Sequence, residues 1–138
     1  MDTKMGKNNF FKLLFQNKSN LPSKAVSAVF AKTFPKAKNV EWFKKNGNFE
    51  TVFYEEEIEK IAEFDGDGNM LIVKTNLNPA LFVGKLREIA EKYGEIMNII
   101  KIEKEGAFQY EMIVRDTELI RYLLILDGDG NEMKFEKL

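Results

Sequence analysis

Apolar and polar residues alternate along the chain with two different periods, and these periods occur in a fixed order. Apolar positions three and four residues apart run through PSKAVSAVFAKTF and stop at Pro35, which predicts a helix with one face toward a core. A period of two follows in NVEWF, NFETVFYE and IEKIAEF, and Leu71 and Val73 continue it in a closing strand. The first half of the chain is therefore predicted to be one helix followed by four strands.

The same order returns in the second half of the chain. PALFVGKLREIAEKY predicts one helix, with Asn78 as its N-cap, Pro79 at its first position and Gly94 as a left-handed C-terminal cap. MNIIKIE, AFQYEMIV and LIRYLLIL have the pattern of strands, and Met133 and Phe135 lie in a closing strand. The pattern predicts an α+β chain built from two tandem helix-plus-four-strand repeats.

The predicted organisation is a single compact domain in three parts. These are an N-terminal extension at 1–20, a first α-β4 repeat at 21–77 and a second α-β4 repeat at 78–138. A chain of 138 residues is within the usual size of one domain. Its 44% of hydrophobic residues, 12 Phe among them, supply a substantial core.

The sequence DGDGN occurs twice, at 65–69 and 127–131, and raises the question of a calcium site. An EF-hand loop needs Gly at position 6 and a bidentate Glu at position 12. Counted from Asp65, these positions hold Met70 and Asn76, and both copies are flanked by predicted strands rather than helices. Asp-Gly and Gly-Asn are typical of tight turns. We interpret both copies as turns and predict no metal site.

Composition excludes several classes of function. The net charge of −1 argues against nucleic-acid binding, which depends on a basic surface. The chain has no His and no Cys, which removes zinc, haem and iron–sulfur ligation by those side chains. The three serines have no His to activate them, and the carboxylates are scattered over predicted strand surfaces and turns. The sequence therefore predicts a protein that is not an enzyme and needs no cofactor.

The N-terminal segment contains the apolar run that bears on export. Lys12 divides the apolar run FFKLLF, and no small-residue cleavage site follows, so no signal peptide is predicted. No stretch approaches the roughly 20 apolar residues that span a bilayer. The location in the cell is left open.

A family resemblance rests on PSKAVSAVFAKTFPKAKNVEWFKKNGNFE, on FDGDGN and on a looser second copy. These pieces, and the pattern FPxAxxVxW within them, resemble the PepSY-like (β-lactamase-inhibitor-like, BLIP-like) proteins common in Bacteroidetes, over roughly residues 21–138. The resemblance implies one curved antiparallel sheet with the helices packed on one face. It carries no catalytic signature and implies binding or inhibition of other proteins, often after export to the periplasm or beyond. The similarly shaped β-lactamase inhibitory protein uses its open sheet face to bind an enzyme.

The helix-free face of the predicted sheet is the candidate binding site. Strand alternation places eight apolar residues there, with Glu41, Glu50, Glu59, Glu63, Glu111 and Arg121 around them: Phe43, Val52, Tyr54, Ile61, Ile72, Ile113, Leu123 and Ile125. An apolar centre with a polar rim is typical of an interaction surface. Three alternatives stay open for this patch: cover by residues 1–20, contact with a partner or second copy, and scattered exposure.

Two functions follow from this surface. The first is a non-enzymatic binding or inhibitor-like module that recognises another protein, of unknown identity, through the helix-free face. The alternative is a small-molecule or peptide carrier with an apolar pocket between the sheet and the N-terminal segment. Self-association through the helix-free face is equally compatible with this pattern. Binding of nucleic acid and a membrane span are not expected.

Overall fold

The computed structural model describes residues 21–138, so the predicted extension at 1–20 lies outside the described residues. Within this range the chain forms two α-helices, one 3-10 helix and eight strands. Their bounds are α1 Lys24–Thr33, β1 Lys38–Lys45, β2 Asn48–Glu55, β3 Ile58–Phe64, β4 Met70–Leu77, the 3-10 helix Pro79–Leu81, α2 Lys85–Glu91, β5 Glu95–Lys104, β6 Ala107–Arg115, β7 Arg121–Asp127 and β8 Glu132–Lys137.

The eight strands form one antiparallel sheet whose spatial order is the order in the chain, β1 to β8. Each strand pairs with the next, including β4 with β5, where Ile72 lies opposite Lys104 and Leu77 opposite Ile99. The two halves of the chain thus share a single sheet, with β1 and β8 at its edges among the described strands. The predicted α+β class, with one antiparallel sheet and two helices, is confirmed.

Helix α1 begins and ends at residues that the sequence marks. Ser23 is its N-cap, because its Oγ accepts from the backbone N–H of Val26 at 3.2 Å. The same Oγ donates to the carbonyl of Gly66 at 3.0 Å, which ties the start of the helix to the β3–β4 turn. The helix ends at Thr33, since a residue before proline disfavours helical geometry and Phe34 is followed by Pro35.

The prediction of one continuous helix over 79–93 is wrong. A 3-10 turn, Pro79–Leu81, is separated from α2 by a break in which Gly84 has φ +104°, a conformation that no helix contains. Asn78 does cap, but it caps the 3-10 turn, with its Oδ1 accepting from Ala80 N at 2.9 Å. Arg87 holds the broken segment in place by donating to the carbonyls of Pro79 and Phe82 at 2.6 and 2.7 Å.

Gly94 does not form the predicted left-handed cap. Its φ is +156°, far from the left-handed helical value near +57°. A Cβ at this position would lie 2.5 Å from the carbonyl oxygen of Arg115, so the absence of a side chain permits a close approach between two backbones. Gly94 therefore serves chain packing between the α2–β5 connection and the end of β6.

The core consists of two separate clusters on the same face of the sheet. The first contains Val26, Phe30, Phe34, Phe53, Ala62 and Phe64. The second contains Ala90, Ile96, Ile99, Met112, Val114, Leu124 and Leu126. Phe30 lies at the centre of the first, with ring centroids 5.1 Å from Phe53 and 5.2 Å from the only tryptophan, Trp42. Each helix thus covers its own half of the sheet.

A polar row separates the two clusters on this helix-covered face. Register places Lys60 beside Phe53 and Thr75, and Thr75 beside Lys101 on β5. Lys60 pairs with Glu55 at 3.0 Å, and the ammonium of Lys101 lies 4.4 Å from the ring centroid of Phe108. These contacts satisfy the charges that interrupt the apolar core.

Three hairpins turn in two residues with positive φ, as type I′ turns require. The turns Asn46–Gly47 and Glu105–Gly106 each contain the Gly, and the first also the Asn, that this conformation favours. The β2–β3 turn instead uses Glu56 and Glu57, at φ +50° and +66°, which are unusual residues for this conformation. These turns lie in the sequence segments KKNG, EEE and KEG.

Candidate interaction surface

The face of the sheet opposite the two helices, here called the open face, is built by alternation along each strand. Thr51 and Phe53 point to the core and are fully buried, so Val52 and Tyr54 point to the open face. In β7, Leu124 and Leu126 are fully buried, while Leu123 and Ile125 are half-buried on the other side. No helix among residues 21–138 covers this face, because both apolar clusters lie on the opposite one.

Strand register brings the predicted residues together in part. Val52 lies directly opposite Ile61, and Ile113 lies directly opposite Leu123, which gives one apolar pair in each half of the sheet. Phe43 is opposite Glu50, so it stands apart from the first pair by one row. The eight predicted residues all share the open face; their role in binding stays a prediction.

The predicted apolar centre is wrong in its details. One row across the sheet runs Tyr54, Glu59, Asn76, Ile100, Glu111 and Ile125, and the next runs Glu41, Val52, Ile61, Lys74, Ile102 and Gln109. Polar residues of β4, namely Lys74 and Asn76, therefore lie between the two apolar pairs. The open face has two apolar areas with a polar strip between them, and a shallow depression of ≈ 220 Å³ lies on that strip.

Two residues of the open face were missed by sequence reasoning. Ile100 and Ile102 lie in β5, opposite Asn76 and Lys74 respectively, and they extend the second apolar area toward the centre of the sheet. The consecutive residues Ile99 and Ile100 hide the alternation, and a register shift between Ile96 and Asn98 changes its phase. Ile99 is fully buried, and this burial shows that Ile99 points to the core and Ile100 to the open face.

Several charged residues of the open face form ion pairs with one another. Lys45 lies 3.4 Å from Glu50 and 4.0 Å from Glu63, and Asn48 donates to Glu63 at 3.1 Å. At the other edge of the sheet, Lys134 lies 3.3 Å from Glu136. The Lys134–Glu136 pair is exposed and contributes little stability, so it remains available to exchange for contacts with a partner.

A cleft of ≈ 640 Å³ opens where β2 and β3 meet the segment before α2. Tyr54 and Ile58 line one side, and Leu81, which is 76% exposed, lines the other. This cleft differs from the apolar pocket predicted for a carrier, because that pocket involves residues 1–20 and lies outside the described residues.

The two DGDGN segments form the same loop. Asp65 Oδ1 accepts from the backbone N–H groups of Asp67 and Asn69 at 2.9 and 3.0 Å, and Asn69 Nδ2 donates to Asp65 Oδ2. Asp127 makes the equivalent bonds with Asp129 and Asn131. Each loop joins two antiparallel strands, as the turn interpretation predicts. In each loop the carboxylate of the first Asp thus accepts hydrogen bonds from the backbone N–H groups of the loop itself.

These bonds stabilise the ionised carboxylates. The side-chain amide and then the backbone N–H of Asn69 lower the pKa of Asp65 below its ordinary value. The backbone N–H and then the side chain of Asn131 lower the pKa of Asp127 in the same way. Among residues 21–138, no group of three or more acidic side chains is placed to hold a metal ion.

A third loop of this kind was not recognised from the sequence. Asp116 Oδ1 accepts from the N–H groups of Glu118 and Ile120 at 2.9 and 3.0 Å, and Tyr122 donates its hydroxyl to Oδ2. The backbone N–H of Ile120 is the largest cause of the lowered pKa of Asp116. Leu119 occupies the position of Gly68 and Gly130, with φ +67°. Only the initial Asp is shared by the three sequences.

Several solved structures share this fold. The structure is similar to that of a DUF2874 family protein from Bacteroides ovatus, with TM-score 0.72, 20% identity, and coverage of 85% of this chain and 88% of that one. A BLIP-like protein from Bacteroides fragilis gives TM-score 0.71, 18% identity, and coverage of 86% and 87%. The fold is that of BLIP-like proteins of Bacteroides. A protein from Bacteroides eggerthii, named as a candidate periplasmic protein, matches with TM-score 0.71, 13% identity, and coverage of 85% and 89%.

The resemblance identified from sequence motifs is thereby confirmed at the level of the fold. No family model matches the chain, and no curated protein matches it. In the part of the chain that the structure describes, no helix is long and apolar enough to cross a membrane.

Proposed function

We propose that the chain is a non-enzymatic module that binds another protein through the open face. The observation that carries the proposal is a helix-free sheet face with two apolar areas, around Val52–Ile61 and around Ile113–Leu123. Strands buried on one side ordinarily present polar residues on the other. Here branched apolar side chains occupy the outward positions in both halves, at a cost in solvation that a bound protein would remove.

The two apolar areas and the polar strip between them define the kind of partner. A folded protein with two apolar projections and polar groups between them fits this face better than a single inserted side chain. Tyr54 and Phe43, exposed by 39% and 40%, provide aromatic anchors at one side of the face. The name of the BLIP-like neighbour supports an inhibitor-like mode of binding, in which one face of the sheet covers a site on the target.

Site-specific photocrosslinking tests this proposal. A photoreactive amino acid is placed at Tyr54 or Leu123 on the open face, and at Lys32 or Glu88 on the exposed sides of α1 and α2 as matched controls. In lysate of the organism that encodes the chain, we expect one partner to crosslink from both open-face positions and from neither helix position. Equal capture from the helix positions would contradict the proposal.

A second measurement uses charge substitutions. Tyr54→Glu and Leu123→Glu should each abolish crosslinking of the partner, because an uncompensated carboxylate would be desolvated in the interface. Lys32→Glu, on the exposed side of α1, should leave it unchanged. Thermal melting of each variant separates loss of binding from loss of folding. Retained capture in both folded open-face variants would exclude this face as the binding site.

A further inference from the structure

The edge strand β8 differs from the opposite edge strand β1 in its readiness to pair. In β1, a register shift lies between Lys38 and Glu41, Asn39 has φ +54°, and two further lysines end the strand. Irregularity of this kind blocks edge pairing, whereas lysine does not distinguish the two edges, because β8 also contains Lys134 and Lys137. All six residues of β8 are exposed, and its register shift is confined to its first residues, before Lys134.

The free backbone groups of β8 can be assigned from one hydrogen bond. Leu138 N–H donates to Arg121 C=O at 3.0 Å, so the residues of β8 with the same parity, Glu136 and Lys134, point their backbone groups toward β7. The backbone N–H and C=O groups of Phe135 and Lys137 therefore point away from the sheet. Among residues 21–138 no strand pairs with them.

The side chains of β8 carry a self-complementary pattern. Lys134 and Glu136 lie on the open face, 3.3 Å apart, with Phe135 between them on the other face. If two β8 strands pair antiparallel with Phe135 facing Phe135, each Lys134 faces Glu136 of the second copy. A slide of two residues in either direction places Lys134 opposite Lys134, or Glu136 opposite Glu136. Only the Phe135-centred register of these three pairs unlike charges.

The helix-covered side of β8 also has uncovered apolar surface. Met133 is 58% exposed and Phe135 is 42% exposed, although their parity predicts cover by α2. Phe135 stacks on Tyr122 with centroids 4.8 Å apart and lies 4.9 Å from Tyr93, so this aromatic cluster ends abruptly at the sheet edge. A second copy would place an identical cluster directly beside it.

We propose that the chain forms a two-fold symmetric dimer by antiparallel pairing of β8 with β8 of a second copy, centred on Phe135. The pair is isologous, so it closes and does not continue into a filament. Phe135 exchanges both backbone hydrogen bonds with its counterpart, and the two Lys134–Glu136 contacts lie at the closely spaced non-hydrogen-bonded positions. The two open faces then lie side by side on one sixteen-stranded sheet.

The dimer is expected to be weak and concentration-dependent. Pairing of two six-residue strands with one aromatic cluster buries less than the roughly 1,200 Å² of a standard interface. Sedimentation velocity of the full chain, from about 10 µM to about 1 mM, should show a reversible shift from monomer to dimer, as expected for micromolar to millimolar affinity. A monomer at every concentration would overturn the proposal.

Charge variants test the register. Lys134→Glu leaves acidic residues at both contact positions, 134 and 136, and Glu136→Lys leaves basic residues at both, so each variant alone should dimerise roughly tenfold more weakly than the native chain. An equimolar mixture should regain dimerisation, because both cross-strand contacts are then acidic against basic. The double variant K134E/E136K should dimerise like the native chain. Failure of the mixture to recover would exclude this register.

An open-face variant distinguishes this dimer from association through the proposed binding face. Tyr54→Glu lies in β2, far along the sheet from β8, and should leave the sedimentation profile unchanged. If Tyr54→Glu abolishes dimerisation while the β8 variants do not, self-association occurs through the open face and the β8 proposal is wrong. Loss of partner crosslinking with retained dimerisation would separate the two surfaces.

Discussion

Gly94 connects α2 to β5 where the chain passes closest to the end of β6. Because a Cβ would lie 2.5 Å from the Arg115 carbonyl oxygen and 2.8 Å from its carbon, Gly94→Ala requires two backbones to separate. We expect a loss of about 2 kcal/mol or more in the free energy of unfolding, measured by urea denaturation.

Gly66→Ala is the matched control for this substitution. Its Cβ would have no atom within 4 Å, and its φ lies outside the range that L-residues avoid. It should change the free energy of unfolding by less than about 0.5 kcal/mol. A similar loss in both variants would mean that glycine flexibility, and not the contact with Arg115, determines the effect.

Asp127 makes the stability of the β7–β8 turn dependent on pH. Its pKa in the folded chain is lowered, chiefly by the backbone N–H of Asn131, below the value near 3.9 of an unfolded Asp. A lowered folded-state pKa stabilises the fold at pH values above the unfolded pKa, and this contribution is lost as pH falls through the folded pKa. Asp127→Asn should therefore destabilise the chain at pH 7 and lose most of this effect at strongly acidic pH.

Urea midpoints of the native chain and of the variant at neutral and acidic pH measure this difference. Asp129→Asn is the control, because Asp129 contributes its backbone N–H to the loop, with Asp127 Oδ1 accepting at 2.9 Å. At neutral pH the control should lower the urea midpoint less than D127N does, because the backbone N–H bond to Asp127 Oδ1 is kept. A D127N effect that is equal at both pH values would assign the loss to geometry and not to charge.

At the scale of elements, the three Asp-capped loops share one backbone but differ in their residue at positive φ. Gly68 and Gly130 accept this conformation without strain, whereas Leu119, at φ +67° and 68% exposed, does not. Leu119→Gly should raise the free energy of unfolding by about 0.5–1 kcal/mol, since relief of strain exceeds the entropy of a more flexible unfolded chain.

Thermal and urea unfolding of L119G measure this gain. Leu81→Gly serves as control, because Leu81 is also exposed but has no positive φ. It should be neutral or destabilising. Stabilisation by both substitutions would point to removal of exposed apolar surface as the cause.

Strands and turns followed from the sequence more reliably than the second helix did. Period-two alternation and the Asn-Gly and Asp-Gly pairs are local signals, and they predicted all eight strands. The break at Val83–Gly84 was hidden because apolar spacing continues through it from Phe82 to Leu86. The loop at Asp116 was not recognised, since its defining bonds go to the backbone and leave no residue pattern beyond the Asp.

At the scale of the whole molecule, the sheet joins the two core clusters that residues 21–138 form. Six paired positions between β4 and β5 connect them, and separation of the halves would expose two long unpaired edges. We therefore expect unfolding in one transition.

Leu124→Ala tests this cooperativity. Leu124 is fully buried in the second cluster, so its truncation should cost about 2–5 kcal/mol. Trp42 packs against the first cluster, so its fluorescence reports unfolding there. The Trp42 transition should shift by the same amount as the circular dichroism transition. An unshifted Trp42 transition would show that the halves unfold independently.

The sequence predicted which side chains lie on the open face, but not how they are arranged across it. Alternation within one strand assigns each side chain to a face, which placed Val52 and Leu123 correctly. The lateral arrangement depends on register between strands, and register is set by turn lengths and bulges such as that between Ile96 and Asn98. This is why the polar strip of β4 was not foreseen.

The meander order of the sheet has a consequence for how the chain is made. Each strand needs only the strand synthesised just before it, so hydrogen-bonded hairpins can accumulate while the ribosome is still translating the remainder. Such local closure loses little entropy compared with the distant pairings of a Greek key. Among all-antiparallel proteins of this length, this chain should be a rapid folder.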